Sequence, residues 1–438
     1  MKKILESGRR NIVPIIFSLF CILSVLMSGK PASYLVTETF TRVARNSVLI
    51  LSLIIPVLCG MGLNFSIVLG AMAGEVGLIL ITHWRIEGIS AILIAIAIAT
   101  VVSIVLGYLT GRLFNKVKGQ EMITGLILGY FAIGVYDLIF MCLVGTVIPM
   151  NDPLLMIGVN QSDGSTTLVG LAITINLFEN TKYALDNLFS IKFIDLLPIL
   201  TCACYAAAAA VFLIRLLAKK QKVKDALMPS IPYAAAGVIF LAVRILSKSV
   251  KAVYAAFFTL SIPIGTWIVI ALVCLFIVYI TKTKLGQDIR AVGQNMGVSV
   301  AAGINVDRTR IIATVLSTVI ASWGQIIYLQ NIGTIQTYYS HEQVGIYAVA
   351  AILVGGASIE KAAIRHVFTG ALLFHVLFFT TPLSATKLFG DAQLGEYSRV
   401  FFCYGIIAVS LLLFALKKNR ENKHRLEMEF RRVADSRK

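Results

Sequence analysis

The chain has 438 residues, 58% of them hydrophobic and only 14% charged, with a mean hydropathy of +0.86. Soluble domains carry about 25% charged residues, so this balance excludes an ordinary soluble enzyme and a disordered chain. The net charge of +17 does not point to nucleic acid in so apolar a chain. It reads as membrane topology, because Lys and Arg concentrate in cytoplasmic loops.

About 20 apolar residues span a bilayer, so the length suits an all-α polytopic membrane protein of about 10–12 transmembrane helices, broken or re-entrant segments included. Lys2, Lys3, Arg9 and Arg10 precede an apolar run at residues 12–27. Many spans follow, so this run reads as an uncleaved first span, N-terminus inside, rather than a signal peptide. A second span is expected at 46–61 and a third run at 65–82, with a tight turn at Gly60-Met61-Gly62-Leu63-Asn64 between them. The fourth span, 88–109, ends in Arg112, Lys116 and Lys118, and the fifth covers 122–148.

Residues 149–192 form a polar outer insert containing Asp152-Pro153 and Asp163-Gly164-Ser165. Three spans follow at 193–217, 231–246 and 262–280. Lys219, Lys220, Lys222 and Lys224 close the first of these on the inside; Lys248 and Lys251 fall outside and run against the charge rule. The segment 282–310, with five Lys and Arg and two Asp, reads as cytoplasmic. Span nine covers 311–330, a tyrosine-rich outer stretch 331–343, and a half-span 345–356. An inner turn at 359–366 carries Lys361 and Arg365, before spans at 368–379 and 400–416. The tail 417–438 has nine Lys and Arg against four Asp and Glu, a solvated cytoplasmic segment able to meet lipid headgroups. The organisation is therefore a single transmembrane domain over 1–416 and a basic tail, with both termini cytoplasmic.

All seven cysteines sit in apolar runs, where a thiol acts as a small hydrophobe, and none forms a disulfide framework. No G-x-x-x-x-G-K-[ST], H-E-x-x-H or G-x-S-x-G string occurs, so the sequence offers no catalytic residue, no metal site and no nucleotide loop. Two acids interrupt spans, Glu75 and Asp137. A charge at the bilayer centre costs about 2.5–3.5 kcal/mol on insertion scales, so each must face protein or water. Each is either part of a solute pathway or a hydrogen-bonded packing residue. Gly70 and Gly74, like Ala73 and Gly77, lie one turn apart and permit close helix approach. Gln325, Tyr328, Gln330 and Asn331 place polar groups on the outer half of span nine, followed by Gln336, Tyr338 and Tyr339. They suit a neutral, hydroxyl-rich solute such as a sugar or nucleoside, or form an interfacial aromatic belt.

The cytoplasmic segment carries the string Lys284-Leu285-Gly286-Gln287-Asp288-Ile289-Arg290-Ala291-Val292-Gly293-Gln294-Asn295, then Ala302-Gly303-Ile304-Asn305-Val306. Leu285, Ile289, Val292 and Met296 share one helical face, and Gly293 and Asn295 are expected to break or bend the helix. This is a docking shape, or an interfacial helix lying on lipid.

That string resembles the signature cytoplasmic loop of ABC-importer permeases for simple sugars, nucleosides and branched-chain amino acids. Gln120 to Tyr130 is similar to the nucleoside-type members, Leu353 to Ser358 resembles the late Gly-Gly segment, and Gly62-Leu63-Asn64-Phe65-Ser66 resembles the early pore motif. Val68 stands where a glycine is usual, Met296 where a proline is usual, and Val298-Ser299 where an alanine pair is usual. The resemblance implies a type II-like permease fold in the bacterial cytoplasmic (inner) membrane. It implies that Leu285, Gly286, Asp288, Ile289, Arg290, Ala291, Val292, Gly293, Asn295 and Gly303 couple the chain to an ATPase. Pathway candidates are Asn64, Ser66, Glu75, Tyr130, Asp137, Gln325, Tyr328 and Asn331. The implied partners are ABC ATPase subunits, which hold ATP and Mg, a second permease, and an extracytoplasmic solute-binding lipoprotein or periplasmic protein. Nucleoside-type members favour a heterodimer of permeases over a homodimer. The alternative function is an ion-gradient-driven secondary transporter of a small polar solute, working through Glu75 or Asp137.

Overall fold

A computed structural model of the chain describes residues 12–150, 152–160, 166–218, 230–249 and 261–409, with residues 223 and 412. The N-terminal basic residues, Asp163-Gly164-Ser165, Lys219, Lys220, Lys222, Lys224, Lys251 and the tail 417–438 lie outside them. Contacts group the chain into two units, one of Met1–Gly29, Arg42–Ala184 and Ile268–Lys438, the other of Lys30–Thr41 and Leu185–Trp267.

In chain order α1 is Ile12–Ser28, α2 Ala32–Leu51 and α3 Ile54–Leu58. The single span expected at 46–61 is thus divided. Pro56 has no N–H to bond back to Ser52, and the freed Ser52 carbonyl accepts from Ser317 Oγ at 2.8 Å instead. Next come α4 (Ile67–His83), α5 (Gly88–Lys116) and α6 (Glu121–Asp137), the last continuing as a π turn through Leu143.

The insert is not irregular. Strand β1 (Met156–Asn160) pairs antiparallel with β2 (Thr166–Leu171), and β3 (Thr174–Asn176) pairs with the distant β6 (Thr334–Gln336). The short helix α7 (Ala184–Leu188) follows. Beyond it, α10 (Ile264–Lys282), which belongs to the larger unit from Ile268 onward, is followed there by α11 (Lys284–Gln294), α12 (Met296–Ala301), α13 (Val306–Ile332), α14 (Val344–Val354) and α15 (Ile364–Phe389). A further helix runs through residues 392–409.

Six helices are long and apolar enough to cross a membrane among the described residues, and four shorter apolar ones accompany them. Their burial sorts centre from periphery. In α13, 67% of the apolar window is buried, against 28% in α5, whose Leu93, Val101 and Leu109 point outward. Helix α4 is wedged beside α13: a methyl on Gly70 would strike the Thr318 carbonyl, and one on Gly74 would lie 2.7 Å from that of Ser322. Without side chains there, the two backbones approach closely.

The smaller unit pairs α8 (Phe193–Leu213) with α9 (Ile231–Ser249). Its core is Phe193, Leu197 and Ile262 with Phe240 and Val243 against them. Strands β4 (Ser190–Lys192) and β5 (Ser261–Pro263) pair beside it, and Thr266 Oγ1 donates to Asp186.

Candidate functional site

Three polar clusters are strung along α13. At its first end lies α11. Thr283 caps α11, its side chain accepting from the Gly286 amide, and the buried face is Ile289 and Val292. Leu285, Asp288 and Ala291 are half-buried, while Arg290 is exposed and donates to the Thr281 carbonyl. The helix stops at Asn295, whose extended backbone and Oδ1 (3.1 Å from the Val298 amide) cap α12. Gly293 does not break it. It stays helical and lets α11 lie directly on the turn after α3. A methyl there would strike the Leu58 carbonyl and reach within 3.0 Å of Cys59 C and Gly60 N. Gly60 answers from the other side, with φ +76° and space ending 2.8 Å away at Gly293 Cα. Gly303, with φ +79°, makes the left-handed turn that leads into α13.

Beside α11 is a residue the pattern did not single out. Arg310 is fully buried, its Nε 2.9 Å from Asn115 Oδ1 and its Nη2 3.1 Å from the Phe114 carbonyl. It also pairs with Glu121, which accepts from the Gly119 amide at 3.0 Å. One guanidinium thereby ties α13, α5 and α6 together. A buried charge demands such a partner. From sequence, both residues stand at edges of apolar runs, where charged side chains usually reach for water.

Halfway along α13, Asn64 is the hub. Its Oδ1 accepts from the Ser66 amide at 3.0 Å and from Ser66 Oγ at 2.5 Å, and its Nδ2 donates to Ser317 Oγ at 3.2 Å. Ser317 Oγ in turn donates a hydrogen bond to the Ser52 carbonyl. The broken backbone between α2 and α4 is thus satisfied by side chains, which is how irregular backbone survives inside an apolar bundle.

The third cluster surrounds Glu75, which is fully buried. Gln325 Nε2 donates to Glu75 Oε1 at 2.9 Å, His341 Nδ1 lies 2.8 Å from Oε2, and the Tyr136 hydroxyl is 3.3 Å from Oε2. Gln325 also donates to the Ser340 carbonyl at 3.1 Å. Carboxylate, amide and imidazole therefore pin the Ser340-His341 loop onto α4 and α13. His341 went unremarked as a partner in the sequence, because 266 residues separate it from Glu75.

Asp137 is half-buried at the end of α6, and Tyr130 is exposed on the same helix. Asn331 accepts from Arg45 Nη1 at 3.3 Å, and the same guanidinium stands 5.6 Å from the Tyr328 ring centre. Gln330 is buried and bonds within its own helix at the Ile327 carbonyl. Tyr338 donates to the Leu171 carbonyl at 2.9 Å, and burial pushes its phenol above the ordinary value, so it stays a donor.

Long apolar helices around a polar-braced central one, with an amphipathic helix clamped on a broken span, define a polytopic all-α membrane permease. Over residues 36–410 the chain matches the family described as the permease component of the branched-chain amino acid transport system, and it belongs to that family. Among curated relatives, it is 39% identical over 112 residues to the nucleoside ABC transporter permease protein NupB of Lactococcus lactis, covering 25% of this chain and 29% of that one. It is 31% identical over 123 residues to the autoinducer 2 import system permease protein LsrC of Klebsiella pneumoniae, covering 28% and 33%. It is 27% identical over 174 residues to the L-arabinose transport system permease protein AraH of Escherichia coli, covering 39% and 49%. The matched stretches thus span about a third to a half of those relatives. No solved structure matches the chain.

Proposed function

We propose that the chain is the membrane-spanning subunit of an ATP-driven importer, passing a nucleoside or simple sugar handed over by an external binding protein. The observation that carries this reading is the seating of α11 on the turn after α3. Its apolar face is buried on the bundle, and its polar face, with Arg290, is left outward for a partner. The names of the relatives support the substrate class. ATP and Mg belong to the partner ATPase; this chain contributes no catalytic residue. A second, non-identical permease completes the pathway, and both termini and the tail 417–438 lie on the ATPase side.

In this reading, closure of the ATPases moves α11. Gly293 transfers that movement to the Leu58–Gly60 turn, and Arg310 carries it into α5, α6 and α13. Helix α13 is a rod of about 40 Å at 1.5 Å per residue, so its far end shifts with it. There the Glu75 cluster passes the shift to the Ser340-His341 loop.

The test is uptake of labelled uridine and ribose by proteoliposomes holding the complete complex. ATP-dependent uptake that requires the binding protein supports the proposal. Uptake by this chain alone, following a proton or sodium gradient, establishes the secondary-transporter reading instead.

A further inference from the structure

A cavity of about 230 Å³ lies at the far end of α13, beside the Ser340-His341 loop. All its walls belong to the larger unit. Its floor is apolar and buried: Leu49 and Ile50 from α2, and Val344 and Ala348 from α14. Its rim is exposed at Gln336 and Tyr339.

Into this space converge Asn46 of α2, Tyr328 of α13, Ser340 of the loop, Gln343 and Tyr347 before and within α14, and His375 of α15. His375 is 6% exposed, and its Nδ1 has no hydrogen-bond partner. A buried polar atom without a partner is costly to leave unsatisfied, so a ligand that supplies one gains by entering. No carboxylate, ammonium or guanidinium lines the walls. Amides, hydroxyls and aromatic faces line the space, with the guanidinium of Arg45 standing 5.6 Å from the Tyr328 ring centre; such a lining fits a solute that is neutral, rich in hydroxyls and built on a flat or puckered ring. The volume lies just below the usual range for ligand pockets, about 300–1,000 Å³, which limits the occupant to a small one.

We infer that this cavity is a solute-binding station of the permease, accepting a neutral polyhydroxylated solute of pentose to nucleoside size through Asn46, Tyr328, Tyr347 and His375. The inference rests on the proposed import of a nucleoside or sugar. It also gives the Glu75 cluster a task. That cluster fixes the loop whose Ser340 lines the cavity, so movement along α13 reshapes the station. The station and α11 stand at opposite ends of one helix, so solute is held at the end remote from the ATPase contact.

The experiment uses the complete complex in proteoliposomes, with labelled uridine and ribose as probes and saturating binding protein. Tyr347→Phe and His375→Leu each remove one hydrogen-bonding group. Each is expected to slow uptake about fivefold, the worth of one neutral hydrogen bond, and to change the ratio of uridine to ribose rates. Ala348→Phe fills the floor and is expected to abolish uptake of uridine before that of the smaller ribose. Thermal unfolding midpoints verify that each variant is folded; Tyr328→Phe, on a partly exposed side chain, replaces any that is not. Unchanged uptake rates and an unchanged uridine-to-ribose ratio across the folded variants overturn the station while leaving the import function standing. Absence of uptake of either probe by the unmodified complex overturns the import reading and the station with it.

Discussion

Replacing Gly293 by Ala adds one methyl at the point where α11 touches the bundle. That methyl would strike the Leu58 carbonyl and come within 3.0 Å of Cys59 C and Gly60 N. All three obstacles are backbone atoms, so no side-chain rotation relieves them. Ala is favoured over Gly within a helix by about 0.5–1 kcal/mol, whereas forcing an extra carbon into a filled space costs about 1–3 kcal/mol. Taking the middle of each range, the clash outweighs the helix preference by about 1 kcal/mol, and by about 2.5 kcal/mol at most, which disfavours the seated α11 by about 5-fold and at most about 70-fold. The control is Gly297→Ala one helix later, where a methyl meets only Asn295 Oδ1 at an ordinary 3.4 Å. In proteoliposomes of the complete complex, solute imported per ATP hydrolysed is expected to fall several-fold for Gly293→Ala and to hold for Gly297→Ala. Equal coupling in the two variants would refute the seating of α11 as the route of force.

Arg310→Met leaves Glu121 buried and unpaired, which is expected to cost about 3–5 kcal/mol, while the double change with Glu121→Met recovers most of it; reversible denaturation in detergent measures both, and additive costs would dismiss the pair. Glu75→Leu strips the partner from Gln325, His341 and Tyr136 together. Hydrogen exchange of the loop around Ser340 should quicken in Glu75→Leu and much less in Glu75→Gln, which keeps a polar partner; identical exchange in both would show that Glu75 does not hold the loop. Ser317→Ala removes the donor to the Ser52 carbonyl and a partner of Asn64, an expected loss of about 1–3 kcal/mol. Ser322→Ala deletes only a bond within its own helix, so a thermal midpoint that drops as far for Ser322→Ala counts against the hub.

The apolar runs, the turn at Gly60 to Asn64 and the buried face of α11 were all legible in the chain. Each depends on residues within a few turns of one another. Run length sets whether a helix can span, and the spacing of Ile289 and Val292 sets which face is buried. The distant strand pairs were not legible, because β3 finds its partner in β6, more than 150 residues away, and β4 finds its partner in β5, beyond α8 and α9. The divided second span was half legible: Pro56 was in view, but not the Ser317 hydroxyl that takes up the freed carbonyl.

Sequence alone thus determined that the protein crosses a membrane, that Glu75 had to face protein or water rather than lipid, and that the loop after α10 carried an amphipathic helix. Only the tertiary structure decided that the partner of Glu75 is His341, that Arg310 answers Glu121, and that Asn46, Tyr347 and His375 close around one cavity. The physical reason is common to all three. A charge or amide in an apolar segment states a need that burial makes costly to leave unmet. Which group meets it depends on how helices far apart in the chain pack side by side, and local residue spacing carries no record of that.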